Sequence, residues 1–85
     1  MRETCLMCVK KHLAQAIVLC REARTDYPIH QQFAVGHLAE AEEEIEKEYP
    51  KLAYKIRVAR FAVSADVHNS DQIVILLKEI CENDG

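Results

Sequence analysis

Apolar residues recur at intervals of three and four along most of the chain, and this spacing restricts the fold more than any other feature. Its first example is the set Leu6, Val9, Leu13, Ala16 and Cys20. Residues with this spacing lie on one side of an α-helix, which can then be buried. Two of the 85 residues are glycine and two are proline, so few β-turns can form. The pattern predicts an all-α protein.

Two Tyr-Pro pairs and one polar segment divide this pattern into four helices. Pro28 and Pro50 are tolerated in the first turn of a helix but not in its interior, so each marks a new helix. We predict helices over residues 5–24, 28–48, 50–65 and 71–82, with a polar joint over 66–70. Short links favour antiparallel neighbours. The sequence therefore predicts a small antiparallel bundle and a single domain over residues 1–85.

Each predicted helix has its own candidate core positions. The first helix adds Ile17 and Ala23 to the set above, and the others contribute Ala34, Leu38, Ala41, Ile45, Leu52 or Ala53, Ile56, Ala59, Val63, Ile73, Val74, Leu77, Ile80 and Cys81. On this pattern Cys20 and Cys81 are small packing residues. Residues 73–77 are all apolar, which predicts that the fourth helix is central or covered by another subunit. We therefore expect a homo-oligomer.

Local signals predict how the helices begin and pack. Thr4 and Asp26 are candidate N-caps of the first two helices, and Asn69 or Ser70 of the last. Gly36 in a helix interior costs about 1 kcal/mol relative to alanine. That cost favours a tightly packed neighbouring helix at Gly36, with a bound ligand as the alternative.

Charge and hydropathy exclude several classes of partner. The formal net charge of −3 provides no general attraction to nucleic acid or anionic membranes. The sequence contains no apolar run near the ~20 residues of a membrane span, and Lys10, Lys11 and His12 interrupt the first apolar stretch where a signal peptide would be continuous. The expected location is the cytosol, where four cysteines are free or metal-bound rather than paired as disulfides.

Cys5, Cys8 and His12 form the one local cluster of soft metal ligands. Structural zinc takes four thiolate or imidazole ligands, and a fourth would come from the second helix, with His37 or His30 as candidates. An antiparallel hairpin places residue 37 opposite about residue 16, roughly two turns from Cys8. We expect zinc bound by Cys5, Cys8, His12 and His37. Two alternatives remain open, in which the cysteines pack as small apolar residues or form a redox pair.

Charged residues suggest further ligand positions. The second predicted helix is rich in glutamate, and the third carries a basic row that includes Arg57 and Arg60. Complementarity between neighbouring helices explains both, and a phosphate-binding row is the alternative. His37 and Glu40 lie on adjacent turns, but their order is the reverse of the Glu-x-x-His motif of di-iron bundles and occurs once.

Three blocks in the first half of the chain contain three of the four histidines. They are Cys5-Leu-Met-Cys8-Val-Lys-Lys11-His12-Leu, Tyr27-Pro28-Ile-His30 and Gly36-His37-Leu-Ala-Glu40-Ala-Glu42. These blocks resemble a group of short uncharacterised proteins of phages and bacteria, with Asp26 where the group has glycine. The resemblance implies no established activity. It does imply that Cys5, Cys8, Lys11, His12, His30, His37 and Glu40 form one unit.

Together these features predict a small, non-enzymatic helical binding protein with a structural zinc site. If it is phage-encoded, as the resemblance implies, we expect it to act on a host system. One alternative is an oligomer that sequesters a nucleotide or other phosphate-bearing ligand, with Lys11, His12, His37, Arg57 and Arg60 around a shared pocket. The other is a metal-dependent hydrolase with Glu40 as its base.

Overall fold

The computed structural model describes residues 6–23 and 29–84, and every regular element in these ranges is helical. The helices are α1 (Leu6–Glu22), α2 (Ile29–Ile45), α3 (Pro50–Ala65) and α4 (Asp71–Asp84). The predicted all-α bundle of four helices is confirmed. The polar segment predicted as a joint is a short 3₁₀ helix, Val67–Ser70, and α2 ends before the predicted residue 48 because residues 46–48 form a turn.

The helices pack in a ring in which each contacts its neighbours in the chain and α4 returns to α1. Polar contacts show the antiparallel order directly. Gln31 near the start of α2 donates to the carbonyl oxygen of Val63 near the end of α3, at 2.8 Å. Lys55 of α3 donates to Glu79 near the end of α4, at 2.6 Å. One hydrophobic core lies inside the ring.

The core follows the predicted helical stripes in the first three helices. Its residues there are Val9, Leu13, Ala16, Ile17, Cys20, Ala34, Leu38, Ala41, Ile45, Ala53, Ile56, Ala59 and Val63. The alanines Ala16, Ala34 and Ala41 are fully buried, and small residues at a contact let helix axes approach closely. Burial raises the pKa of the Cys20 thiol, as expected for a packing cysteine.

The predicted core of the last helix needs correction. Its buried residues are Ile73, Leu76 and Ile80, spaced at three and four. Val74 and Leu77 are only partly buried and Cys81 is exposed, so the predicted packing role of Cys81 is wrong. Each of these residues comes one position after a buried residue. One position along a helix is a rotation of about 100°, so the side chain is turned away from the core. Since Ile75 is exposed as well, α4 is not the central helix of the bundle.

The connection between α3 and α4 is held by side-chain caps. The Asn69 side-chain amide donates to the carbonyl oxygen of Ala62 at 2.7 Å, so Asn69 caps the end of α3 rather than the start of α4 as predicted. Asp66 accepts a hydrogen bond from the backbone N–H of His68 at 2.9 Å, and this bond, followed by the one to the His68 side chain, lowers the pKa of Asp66. The predicted caps Thr4 and Asp26 lie outside the described residues.

Glu42 is a buried carboxylate that joins α2 to α3. Glu42 is only 7% exposed. Arg57 Nε donates to Glu42 Oε2 at 2.8 Å, and an Arg60 guanidinium N–H donates to Glu42 Oε1 at 3.3 Å. The charge complementarity predicted between the second and third helices is therefore present at this point.

Among the described residues, no helix combines the length and apolar character that crossing a membrane requires.

Gly36 is not a point of tight packing. A Cβ atom placed there would meet no atom within 4 Å outside its own local helix, so the prediction of a close neighbouring helix is wrong for the single chain. The residue is exposed, and its φ is not positive.

We predict that Gly36→Ala raises the free energy of unfolding by about 1 kcal/mol, because alanine loses less backbone entropy in a helix. Urea unfolding followed by circular dichroism measures it. The reverse change at a nearby exposed position of the same helix, Ala39→Gly, should lower stability by a similar amount. A destabilising Gly36→Ala would show that something packs closely on Gly36 in solution.

We predict that Glu42→Gln lowers the free energy of unfolding by about 2 kcal/mol, since two arginines lose a charged acceptor near the core. Thermal and urea unfolding measure the loss. Glu43→Gln, at the exposed neighbouring position, is the matched control and should change stability by less than about 0.5 kcal/mol. Equal effects of the two substitutions would contradict the role assigned to Glu42.

Candidate functional site

Two histidines and a glutamate converge where α1 meets α2. His12 Nδ1 lies 3.0 Å from His37 Nδ1. Glu40 Oε1 lies 3.7 Å from His12 Nδ1 and 3.8 Å from His37 Nδ1. The imidazole rings are tilted, with centroids 5.2 Å apart. We call these three residues the His-His-Glu cluster.

The packing of α1 on α2 brings these side chains together. His12 precedes Leu13 and His37 precedes Leu38, and both leucines are fully buried. Each histidine therefore lies at the edge of the interface, partly buried. We predicted that residue 37 lies opposite about residue 16. In the structure the side chain of His37 contacts His12, which is one turn nearer to the start of α1.

Glu44 adds a second carboxylate next to His12. Its Oε2 atom lies 3.6 Å from His12 Nε2, on the side of the ring away from His37. With a metal ion on Nδ1, the neutral His12 ring would carry its proton on Nε2, where that proton would face the Glu44 carboxylate. This is the arrangement in which carboxylates orient metal-binding histidines in many metal sites.

The cluster has the dimensions of a site for one divalent ion. Among the described residues, one nitrogen from each of the two histidines and one oxygen of Glu40 lie within 4.8 Å of one another. With zinc–ligand bonds of about 2.1 Å, the ligand atoms of a tetrahedron are roughly 3.4 Å apart. The separations of 3.0, 3.7 and 3.8 Å lie on either side of that value. Three atoms around one ion would occupy three corners of such a tetrahedron and leave the fourth corner open.

Cys8, one of the two cysteines predicted as ligands, is not among the residues of this group. Cys8 is exposed and lies one turn before His12 on α1. Cys5 lies outside the described residues. His30 is partly buried near the start of α2, one heptad or about 10 Å of helix rise before His37. Of the four predicted metal ligands, the structure brings together His12 and His37.

The predicted basic residues lie elsewhere. Arg57 and Arg60 bind Glu42 on the side of α2 that faces α3. Glu42 is two residues from Glu40, and two positions on a helix correspond to about 200°, so the arginines and the histidine cluster lie on different sides of α2. Lys11 is exposed on α1. The structure does not bring these cations into a shared pocket with His12 and His37.

Glu44 was missed by the sequence analysis, although a signal for it is present. His37, Glu40 and Glu44 are spaced three and four residues apart, which places them on one face of α2. The six glutamates between positions 40 and 48 concealed this spacing, because most of them are ordinary exposed residues.

An apolar groove runs beside the cluster, between α1 and α2. It has a volume of about 400 Å³ and is lined by Ala14, Gln15, Val18, Leu19, Phe33 and His37. His37 therefore belongs to both the groove and the cluster.

Comparison of the chain with protein-family models, with curated proteins and with solved structures finds no match.

We predict that Glu44→Gln weakens zinc binding at the cluster by about tenfold, because the amide cannot hold the His12 proton on Nε2 as a carboxylate does. Isothermal titration calorimetry with zinc measures the affinity. Glu22→Gln, which removes the same charge at an exposed position at the end of α1, about 15 Å of helix rise from His12, should leave the affinity unchanged. Equal losses in both variants would point to a general charge effect instead.

Proposed function

We propose that this protein is a small helical binding protein whose His-His-Glu cluster binds a divalent transition metal, zinc above all, and so joins α1 to α2. The observation that carries the proposal is the convergence of His12 Nδ1, His37 Nδ1 and Glu40 Oε1 from two helices. Imidazole and carboxylate together suit zinc, and imidazole is also a good ligand for copper, nickel and iron.

A metal at this position offers a physical benefit to a chain of this length. An 85-residue domain buries a smaller share of its surface than larger proteins do, so a further link between helices is useful. The ion would join side chains 25 residues apart in sequence. At a free zinc concentration of 100 times the dissociation constant, binding adds about 2.7 kcal/mol of stability.

The fourth coordination position distinguishes two forms of the site. Cys8 is the nearest candidate along α1, one turn before His12, and its thiolate would give a closed structural site of the kind predicted from the sequence. Water in that position would give an open site. A cobalt-substituted protein separates the two forms, since a thiolate ligand adds an intense charge-transfer band that Cys8→Ser would remove.

One feature favours a metal-dependent hydrolase as a second candidate. Two histidines and a glutamate with an open position are the ligand set of several catalytic zinc sites. The predicted base, Glu40, is however the third ligand of this set, so it is not available as a base. We therefore place the binding role first. Hydrolysis of an activated ester by the zinc-loaded protein, absent from the metal-free protein, would support the enzyme.

Ligand sequestration has less support. Arg57 and Arg60, the cations proposed to hold phosphate, already bind the Glu42 carboxylate.

A cytosolic location remains part of our proposal, since thiols stay reduced there. An action on a host system remains a prediction that follows from the resemblance to phage and bacterial proteins.

The proposal predicts about one zinc per chain in protein purified without a histidine tag. His37→Gln should weaken zinc binding by at least about 100-fold, because it removes one of three ligands. Calorimetry on metal-free protein measures the affinity, and thermal unfolding with and without zinc checks that both variants fold. His68→Gln replaces an exposed histidine of the 3₁₀ helix and should bind zinc as the wild type does. Equal losses in His37→Gln and His68→Gln, or no binding by the wild type, would refute the site.

A further inference from the structure

Helices α3 and α4 leave four large apolar side chains on one surface of the bundle. Tyr54 is 64% exposed, Val58 44%, Phe61 60% and Ile75 60%. Tyr54, Val58 and Phe61 are spaced four and three residues apart, so they share one side of α3. Tyr54, Val58 and Ile75 also line one groove of about 230 Å³ between the two helices. We call these four residues the α3–α4 face.

We propose that the α3–α4 face is the surface through which two copies of this chain form a homodimer. This inference is independent of the metal site, which lies between α1 and α2. It also accounts for the apolar run at residues 73–77, since Ile75 of that run is exposed in the single chain.

The composition of the α3–α4 face agrees with a covered surface. Aromatic side chains such as Tyr54 and Phe61 are the residues that most often supply binding energy at such interfaces.

The charges around the α3–α4 face permit two copies to approach. α3 is a basic helix, and two basic helices would repel each other if their cations were unpaired. Lys55 is paired with Glu79 at 2.6 Å, and Arg57 is paired with Glu42 at 2.8 Å. Arg60, whose guanidinium lies over the Phe61 ring at 4.9 Å, shares the Glu42 carboxylate with Arg57. These pairings reduce the positive charge next to the apolar side chains without cancelling it.

An antiparallel pairing of α3 with its copy also gives favourable contacts at its ends. A two-fold axis near Val58 places Tyr54 of each copy next to Phe61 of the other. Lys51 then lies near the end of α3 in the second copy. Asp66 is exposed at that end, and the helix dipole is negative there as well. The near-symmetric placement of the exposed Lys51 and Asp66 about Val58 therefore favours a second copy of this chain as the occupant of the face.

Sedimentation velocity at about 10 and 200 μM chain tests the proposal. We expect a concentration-dependent dimer in the wild type. Val58→Glu should raise the dissociation constant at least about thirtyfold, because the two-fold axis brings two carboxylates together. Val18→Glu is the matched control. Val18 is 51% exposed but lies in the α1–α2 groove, away from the proposed interface, so this variant should still form the dimer.

A second variant keeps the test independent of folding defects. Lys51→Glu changes an exposed residue outside the core and should weaken the dimer about tenfold at low salt, with a smaller effect at high salt. Circular dichroism confirms the helix content of each variant. A wild type that is monomeric at the highest concentration would overturn the proposal. So would a dimer lost in Val18→Glu but kept in Val58→Glu, which would place the interface on the α1–α2 groove.

Discussion

The packing of α1 against α2 is the interaction on which the rest of the structure depends. Leu13 and Leu38 are fully buried in it, and burial of a leucine contributes roughly 1.5–3 kcal/mol. The fully buried alanines Ala16, Ala34 and Ala41 allow a close approach of the two helices. A shift by one turn would move one helix about 5.4 Å along the other. His12 and His37 would then no longer meet, so the register that the core sets also determines the cluster.

α2 carries carboxylates with different roles on different sides. Glu40 and Glu44 lie beside the histidines at the contact with α1. Glu42 faces α3 and is held by two arginines close to the core. Residues 40 and 44 share one face of the helix, while residue 42 is turned about 200° from residue 40. Helical periodicity alone thus turns a glutamate-rich segment into a candidate metal site on one side and an interhelical ion pair on the other.

Much of the fold could be predicted from periodicity because three of the helices have a single apolar stripe. In these helices the predicted core positions, such as Ala34, Leu38 and Ala41, are buried. α4 was predicted less well because five consecutive apolar residues define no single stripe. The structure buries Leu76 and leaves Cys81 exposed.

The candidate site was only partly predictable, for a related reason. The sequence supplies the ligand types but not the register in which two helices pair, and that register decides which histidines meet. His12 and His37 were predicted as ligands from residue type, whereas Glu44 was hidden among its neighbours. Glu40 was predicted as a ligand-binding residue, and it lies within 3.8 Å of both histidine Nδ1 atoms.

The most direct test of the account is a long-range ¹H–¹⁵N NMR spectrum of the histidine rings during a zinc titration. We predict that one equivalent of zinc shifts the Nδ1 signals of His12 and His37 together and leaves those of His68 unchanged, with the His12 proton on Nε2 beside Glu44. Binding that shifts His30 or His68 instead, or that shifts His12 and His37 at different zinc concentrations, would contradict a shared ion at the α1–α2 contact.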